Sequence, residues 1–267
     1  MDLTIVLRIC GRSGVAPNST PRISGSDRLT LILKCAQSLV EAINNAKYKC
    51  QLITVDDHSD AISLPLIQKI LNQANCTSQF INLSDRDTTK FVHSFNWSAY
   101  EQFRLGRDSQ GLVYFVEDDY LHSKNAINEL LDAFYFFRSL TDLNNVCIYP
   151  YDSTHNYNQI NTPTRLFYFQ DRLWRTTGKT ANTMLIHSDD IRQYWPLFDR
   201  LSTMYSVDNT NEDTTINRLW NNAVIQGGPI TLFSPIPSIA AHISFDEPIK
   251  LTHEMNDWRE RYNQLEI

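Results

Sequence analysis

Short apolar runs alternate with amphipathic stretches from Leu3 to about Pro150. Runs with the length and β-branched content of buried strands are LTIVLRIC, CQLITV, SQFINL, GLVYFV and NVCIYPY. The segments between them are predicted helices: DRLTLILKCAQSLVEAINNA with Asp27 as its N-cap, LPLIQKILNQA, residues 91–105, and NAINELLDAFYFFRSL. Strands that alternate with helices predict a parallel sheet wound by right-handed crossovers.

The pattern is less regular after Asp152. Strands are predicted near RLFYFQ, NTMLIH and PITLFS, helices near SDDIRQYWPLFDRL and NEDTTINRLWNNA, and a polar segment at the C-terminal end. No repeat, low-complexity tract or shift in composition marks a linker. We therefore expect one α/β domain, in which a mixed second half, residues 151–267, shares the sheet of residues 1–150.

The composition restricts the class of partner. A chain of 267 residues, 42% of them hydrophobic, is long enough to bury a sizeable core. The 30 acidic residues outnumber the 24 basic ones, so no excess positive field favours nucleic acid. The five cysteines contain no CxxC pair and are expected to be reduced core thiols, with a disulfide between two of them as the alternative. We find neither a signal peptide nor a membrane span, and expect a soluble cytoplasmic protein.

Two clusters of acids follow predicted strands. ITVDDHSD ends the second strand with Asp56 and Asp57, and GLVYFVEDDY ends the fourth with Glu117, Asp118 and Asp119. Open α/β sheets bind ligands at the carboxyl ends of their strands, so both clusters are expected to face one crevice. Adjacent carboxylates repel one another unless solvent or a bound cation stabilises them. If the backbone stays extended, Glu117 and Asp119 point to one side and Asp118 to the other.

Acids at strand ends also have a structural interpretation. For Asp56 and Asp60, a role as a solvated residue or a helix cap is an equal alternative, because a helix is predicted from about Ser63. For residues 117–119 a functional role is favoured, because a cap needs one acid and this segment has three after an apolar run.

The order of strand, helix, VDDHSD and then VEDD resembles that of glycosyltransferases with the GT-A fold, in the layout of glycosyltransferase family 2. The FVEDDYL segment is most similar to the Glu-Asp-Asp motif of N-acetylglucosaminyltransferases of this class. The likeness extends over about residues 3–245 and is closest over 29–122. It implies a Rossmann-like, mostly parallel central sheet flanked by helices, with a mixed acceptor-side C-terminal subdomain. It also implies a nucleotide-sugar donor, expected to be a UDP-sugar, and a glycan or other hydroxyl-bearing acceptor.

The resemblance implies roles for the acids. Asp57 matches the residue that hydrogen-bonds the uracil N3 proton, with Asp56 as its neighbour. Glu117 and Asp118 would approach the ribose and the donor sugar. Asp119 would bind Mn²⁺ or Mg²⁺, which neutralises charge on the departing diphosphate.

Four further residues match the family in the same way. Arg12 in CGRSG resembles an arginine that approaches the phosphates, although a solvent-facing arginine is common in such a loop. His93 and Asn96 match polar residues beside the nucleotide, and a helix-surface or capping role fits each equally. His242 in IPSIAAHISFD matches a histidine that completes the metal shell in some GT-A enzymes, and imidazole is a competent Mn²⁺ ligand. A lone histidine is otherwise more often structural.

Inverting transfer also needs a general base beside the acceptor hydroxyl. The segment VDNTNEDTTINRLW resembles the family's Glu-Asp pair at the start of a helix, which makes Asp213 the candidate base and Glu212 the second candidate. Acids are also expected at a helix N-terminus for electrostatic reasons alone. The tryptophan-bearing signature of processive synthases is absent from the sequence, which favours a single-transfer enzyme.

Other functions remain open at this stage. Sugar nucleotidylyltransferases share the fold, but CGRSGVAP does not reproduce their glycine-rich first loop. A receiver-like module, suggested by VDDH, has a shorter chain. A non-catalytic carbohydrate-binding protein needs aromatic platforms without aligned acids. Aromatic residues that offer such platforms, most of them expected in the core, are Tyr149, Tyr151, Tyr157, Phe167, Tyr168, Trp174 and Trp195.

Overall fold

A computed structural model describes residues 1–13, 27–91, 94–140, 145–153, 155–158, 164–180, 182–203, 216–221, 228–243 and 252–267. The strands are β1 (Leu3–Ile9), β2 (Cys50–Asp56), β3 (Thr77–Asn82), β4 (Leu112–Glu117), β5 (Tyr120–His122), β6 (Val146–Ile148), β7 (Leu166–Phe169), β8 (Arg172–Thr176), β9 (Met184–His187), β10 (Trp220–Asn221), β11 (Ile230–Ile236) and β12 (Ala240–His242). The helices are α1 (Arg28–Asn44), α2 (Ser63–Leu71), α3 (Ser94–Asp108), α4 (Ala126–Arg138), α5 (His155–Asn158), α6 (Ser188–Gln193), α7 (Trp195–Thr203) and α8 (Thr252–Gln264), with a 3₁₀ helix at Ile216–Leu219.

One large sheet organises the fold. Its order is β3-β2-β1-β4-β9-β6-β11-β8-β7, with β10 beside β11. The strands β3, β2, β1 and β4 are mutually parallel, whereas β9 runs antiparallel between β4 and β6. The predicted α/β class, a central sheet flanked by helices with a mixed second half, is confirmed. Strands from residues 1–150 and 151–267 alternate in this sheet; their division into donor and acceptor halves stays a prediction.

Helices cover both faces of the sheet. On one face α1 packs against α2 and α4, and on the other α3 packs against α6 and α7. Side chains alternate along β1, so Leu7 and Ile9 lie against α1 whereas Arg8 reaches α3. This burial on both faces explains why the first strands are almost continuously apolar. Asp27 caps α1 as predicted, because its carboxylate accepts from the Thr30 N–H at 3.0 Å.

Some predicted elements differ from the structure. The helix predicted at 91–105 lies at Ser94–Asp108, and the single helix predicted over SDDIRQYWPLFDRL is two helices, α6 and α7. The helix predicted at NEDTTINRLWNNA is wrong in its described part, which is a 3₁₀ helix followed by β10. Here Trp220 is fully buried and its indole N–H donates to Asn217 Oδ1, so burial of one large ring outweighs helical propensity.

Helix α8 forms in the segment that the sequence marks only as polar. Its described buried side chains, Trp258 and Tyr262, are four residues apart and therefore share one helical face. Within the described residues, no helix has both the length and the apolar content needed to cross a membrane. All five cysteines carry free thiols; Cys35, Cys50 and Cys147 lie in the core as expected, whereas Cys10 and Cys76 are only partly buried.

A second, two-stranded sheet pairs β5 with β12. Its residue His122 is fully buried, with Nε2 2.9 Å from the Tyr114 hydroxyl and Nδ1 3.1 Å from the Tyr120 carbonyl oxygen. The His122 N–H donates to Ser38 Oγ at 2.9 Å, which ties β5 to α1. Burial lowers the pKa of His122 to about 3, against the opposing effect of the Tyr120 carbonyl.

The free energy of unfolding is expected to contain a contribution from His122 that falls as the pH drops from about 6.5 towards 3. In this range the imidazole is protonated in the unfolded chain and neutral in the folded one, so protons favour unfolding. At pH 5 this contribution is about 2 kcal/mol smaller than at pH 8. Urea unfolding of the wild type and His122→Leu at both pH values checks this: the variant is less stable throughout, but its stability changes less with pH. An equal pH dependence in both proteins would contradict a buried neutral imidazole.

Candidate functional site

The two acid clusters meet at the end of β1. The parallel register aligns Ile9 of β1 with Asp56 of β2, and Arg8 of β1 with Glu117 of β4. The backbone N–H of Asp57 donates to the Ile9 carbonyl oxygen at 2.8 Å, so the β2 acids stay attached to β1 beyond the strand end. The structure therefore brings both predicted clusters to one edge of the sheet.

Residues 117–119 do not stay extended. Strand β4 ends at Glu117, and Asp118 and Asp119 form a turn that leads into β5. The predicted alternation of the three side chains between the two faces required an extended backbone, which the structure does not have at Asp118 and Asp119. Instead, each carboxylate faces a different basic side chain.

Glu117 lies on the α3 face of the sheet and pairs with Arg8. The guanidinium donates to Glu117 Oε1 at 2.5 Å, and both side chains are mostly buried. Arg8 also donates to Ser98 Oγ at 3.2 Å and lies 4.6 Å from the centre of the Phe95 ring. The amide of Asn182 approaches the same carboxylate oxygen at 3.5 Å. These contacts fix the position of the first acid.

Asp118 points towards the loop after β1. Its Oδ2 accepts from the Cys10 N–H at 2.8 Å, and Arg28 at the start of α1 lies 3.4 Å from Oδ1. Burial raises the pKa of Asp118 to about 6; Arg28 opposes this shift and Asp119 adds to it. A small apolar cavity beside the carboxylate, lined in part by Ile9, accounts for the loss of solvent.

Asp119 pairs with His242 across the small sheet. Their Oδ2 and Nε2 atoms are 3.0 Å apart, and the Ile243 N–H donates to the Asp119 carbonyl oxygen at 3.0 Å. The ring of Tyr120 stacks on the imidazole, with centroids 4.9 Å apart, and Tyr151 meets it from the side at 6.4 Å. The pairing of β5 with β12 therefore brings together two residues that are far apart in the sequence.

The Asp119–His242 pair fits a divalent cation. Carboxylate oxygen and imidazole nitrogen together suit Mn²⁺. Adjacent ligands of an octahedral ion with bonds of about 2.1 Å lie about 3 Å apart, which is the separation of these two atoms. Among the described residues, no group of three or more His, Cys, Asp or Glu side chains is suited to hold an ion.

Two acids of the β2 cluster have structural roles. Asp56 accepts from the Ser59 N–H at 3.1 Å and shapes the turn after β2. Asp60 accepts from the Ser63 N–H at 2.7 Å and from the Ser13 N–H at 2.5 Å, and these hydrogen bonds, that of Ser63 first, lower the pKa of Asp60. Asp60 thus joins the start of α2 to the loop after β1.

Asp57 differs from both neighbours. It is buried, and its Oδ1 lies 3.2 Å from Nδ1 of His58, whose backbone has a φ of 58°. His58 also contacts Asp85 at 3.4 Å. Because Asp57 caps no turn in the described part of the chain, it is the β2 acid best suited to contact a ligand.

The remaining predicted residues are less closely connected to the acids. Arg12 is exposed in the loop after β1, and Asn96 is buried in the first turn of α3. His93, Glu212 and Asp213 lie outside the described residues. The roles assigned to all five stay predictions.

Sequence reasoning missed the two arginines that neutralise the acids. Arg8 is the only charged residue in LTIVLRIC, and a charge in a buried strand requires a partner. Arg28 occupies the first turn of α1, where the helix dipole disfavours a cation, so its position also indicated a nearby anion. Both signals were present in the sequence, but neither identifies the partner.

Arg8→Met is expected to lower the free energy of unfolding by about 3 kcal/mol, because it leaves Glu117 buried without its cation. The double variant Arg8→Met/Glu117→Gln should recover part of this loss. Arg104→Met, which breaks the more exposed pair with Glu101, should change stability by less than about 1 kcal/mol. Urea unfolding of the wild type, Arg8→Met, Glu117→Gln, the double variant and Arg104→Met checks the coupling; a double variant whose loss equals the sum of the Arg8→Met and Glu117→Gln losses would contradict it.

The comparisons with known proteins give structural likenesses only. No protein-family model and no curated protein sequence matches this chain. Galactosyltransferase LgtC, solved with donor and acceptor sugar analogs, matches at a TM-score of 0.49 and 12% identity over 99% of this chain and 96% of LgtC. S. aureus TarS 1–349 in complex with UDP-GlcNAc matches at a TM-score of 0.44 and 12% identity, over 88% of this chain and 58% of the TarS chain. Mouse xyloside xylosyltransferase 1 matches at a TM-score of 0.42 and 15% identity, over 76% of this chain and 72% of its own. The chain spans 36% of the longer S. aureus TarS chain. At TM-scores below 0.5, these likenesses leave the function to be inferred from the site.

Proposed function

We propose that this chain is a metal-dependent glycosyltransferase of the GT-A type, which moves a sugar from a UDP-sugar to a hydroxyl acceptor with inversion. The observation that carries the proposal is the meeting, at one sheet edge, of Asp57, the 117–119 acids and His242. Buried Asp57 at the end of β2 and the Asp119–His242 pair beyond β4 would provide separate contacts, the first for a nucleobase and the second for a metal ion that stabilises a diphosphate.

The donor would extend across the ends of β2, β1 and β4. Asp57 accepts the N3 proton of uracil, and Glu117 and Asp118 face the ribose and the donor sugar. Asp119 and His242 would hold Mn²⁺ or Mg²⁺, which would neutralise charge on the diphosphate leaving group.

Two arginines add positive charge near the phosphates. Arg28 lies at the start of α1 beside Asp118, and exposed Arg12 lies in the loop after β1. Either guanidinium can donate to a phosphate oxygen. The fixed position of Arg28 makes it the more preorganised of the two.

The acceptor side needs a base. In this proposal the Asp213 carboxylate, with Glu212 as the second candidate, takes the proton of the acceptor hydroxyl. At the same time the hydroxyl oxygen of the acceptor bonds to the anomeric carbon of the donor sugar. The bond from that carbon to the diphosphate breaks on the opposite face, so the configuration inverts. Attack and departure on opposite faces require no covalent enzyme intermediate.

Isothermal titration with UDP tests the donor site. We expect wild-type binding to require Mn²⁺, and Asp119→Asn to weaken it at least tenfold because an anionic carboxylate ligand becomes a neutral amide. Asp108→Asn, a change at the exposed end of α3, is the matched control and should bind as the wild type does.

The alternatives give different results in this titration. Failure of UDP and other nucleotides to bind with either metal would overturn the proposal. A reaction that depends on inorganic pyrophosphate would indicate a nucleotidylyltransferase, and metal-independent glycan binding without turnover a carbohydrate-binding protein.

The neighbouring acids Asp56 and Asp57 should respond differently to truncation. Asp57→Ala is expected to weaken UDP binding about tenfold or more, because a hydrogen bond to a carboxylate is lost. Asp56→Ala should instead lower the free energy of unfolding by about 1 kcal/mol or more, because the Ser59 N–H loses its acceptor. Titration calorimetry and thermal unfolding of both variants separate the roles; weaker UDP binding only in Asp56→Ala would reverse the assignment.

A further inference from the structure

The seven aromatic residues that the sequence offers as sugar platforms differ in exposure. Tyr149, Tyr151 and Trp174 are buried, and Phe167 and Trp195 are partly buried against the core. The other two, Tyr157 and Tyr168, are 42% and 66% exposed. Tyr168 lies on β7 at the far edge of the sheet, whereas Tyr157 lies in α5, shortly after the carboxyl end of β6.

Tyr157 is exposed but firmly held. Its hydroxyl donates to Asp152 Oδ2 at 2.5 Å, and the Arg175 guanidinium lies over its ring, 4.2 Å from the centre. Arg175 also donates to the other oxygen of Asp152, and both members of this ion pair are buried. The adjacent Asn156 accepts from Thr177 Oγ1 at 2.7 Å. Two buried groups therefore hold the ring: Asp152 at its hydroxyl and Arg175 on one of its faces.

The ion pair beneath Tyr157 is better explained by positioning than by stability. Desolvating two charges offsets most of their attraction, so apolar residues of similar volume would serve the core as well. The Asp152–Arg175 pair instead fixes the orientation of Tyr157, because Asp152 holds the hydroxyl and Arg175 contacts one face of the exposed ring. A ring fixed in advance loses little conformational entropy when a ligand binds, and this favours affinity.

The position of Tyr157 favours an acceptor over a donor. Strand β6 is parallel to β4, so Asp152 lies past the same edge as the acids. The Asp152 N–H donates to Ser238 Oγ at 2.9 Å, and the neighbouring Tyr151 contacts His242. Arg175 lies on β8, six strand positions from β2 in the sheet order, which is roughly 30 Å at ~4.8 Å per strand. This distance places the ring far from the uracil end of a donor bound at Asp57.

Arg175 is also on the appropriate face of the sheet. Its neighbour Trp174 packs against Phe137 of α4, so Arg175 points to the opposite face. Glu117, which contacts Arg8 beside α3, lies on that same face. Glu117 and the Tyr157 platform therefore lie on the same side of the sheet.

We propose that Tyr157, held by Asp152 and Arg175, is a stacking subsite for a sugar ring of the acceptor, so that the acceptor is a glycoside. This inference rests on the proposed function. An amphipathic tyrosine ring suits a pyranose, which has an apolar C–H face and a polar rim.

Saturation-transfer NMR with methyl β-glucoside, methyl β-galactoside and methyl N-acetyl-β-glucosaminide tests the subsite, with and without UDP and Mn²⁺. At least one glycoside is expected to bind the wild type, and Tyr157→Ala to weaken this binding about tenfold. Tyr157→Phe keeps the ring over Arg175 and should lose less affinity than Tyr157→Ala does, which separates stacking from loss of the Asp152 contact. Tyr135→Ala, at a similarly exposed tyrosine on α4, is the matched control and should bind as the wild type does.

Donor and acceptor results are read separately. UDP affinity should be the same in Tyr157→Ala and Tyr157→Phe as in the wild type. If the wild type itself does not bind UDP, that result counts against the proposed function and not against the subsite. Glycoside binding that is unchanged in Tyr157→Ala would overturn the subsite. Absence of glycoside binding to the wild type under all conditions would overturn the sugar as its ligand class.

Discussion

The repulsion among three adjacent carboxylates is the constraint around which this sheet edge is built. Glu117, Asp118 and Asp119 follow one another, yet they contact basic groups on three different elements: β1, α1 and β12. The turn after β4 makes this possible because it directs the three side chains apart. A straight strand would have placed the first and third acids on one side. The tripeptide thereby connects the first strand, the first helix and the last strand described in the chain.

The Asp119–His242 pair depends on backbone pairing as much as on side chains. The register of β12 against β5 sets His242 beside Tyr120, and the Ile243 N–H closes the ladder on the Asp119 carbonyl. Beneath this ladder the neutral His122 is held by Tyr114 and Ser38. His242, the proposed cation ligand, is therefore positioned by paired strands above a buried foundation instead of by a loop, which is the arrangement that a preorganised site requires.

The long periodic elements and the location of the acids were predictable from sequence, whereas their partners were not. α1 was predictable because its apolar spacing and its cap at Asp27 agree. Asp56 and Asp57 follow a recognisable strand, so their edge was predictable as well. β5 and β12 have only three residues each, which is too short for a periodic pattern in the sequence. They form because they pair with each other across more than 100 residues of chain. The helix predicted around Trp220 is wrong for the opposite reason. The local sequence pattern is typical of a helix, but burial of the indole ring outweighs it.

The place of β9 in the sheet has a consequence for how the molecule can be divided. This strand, from the later half of the chain, separates β4 from β6, both from the earlier half. A fragment that stops near residue 150 would leave the facing edges of β4 and β6 without the strand that pairs with both, and exposed strand edges promote aggregation. Asp119 and His242 are 123 residues apart, so their contact requires closure of a long loop. Residues 1–150 are thus not expected to fold as a separate module, and the Asp119–His242 contact forms only when distant parts of the chain have assembled correctly.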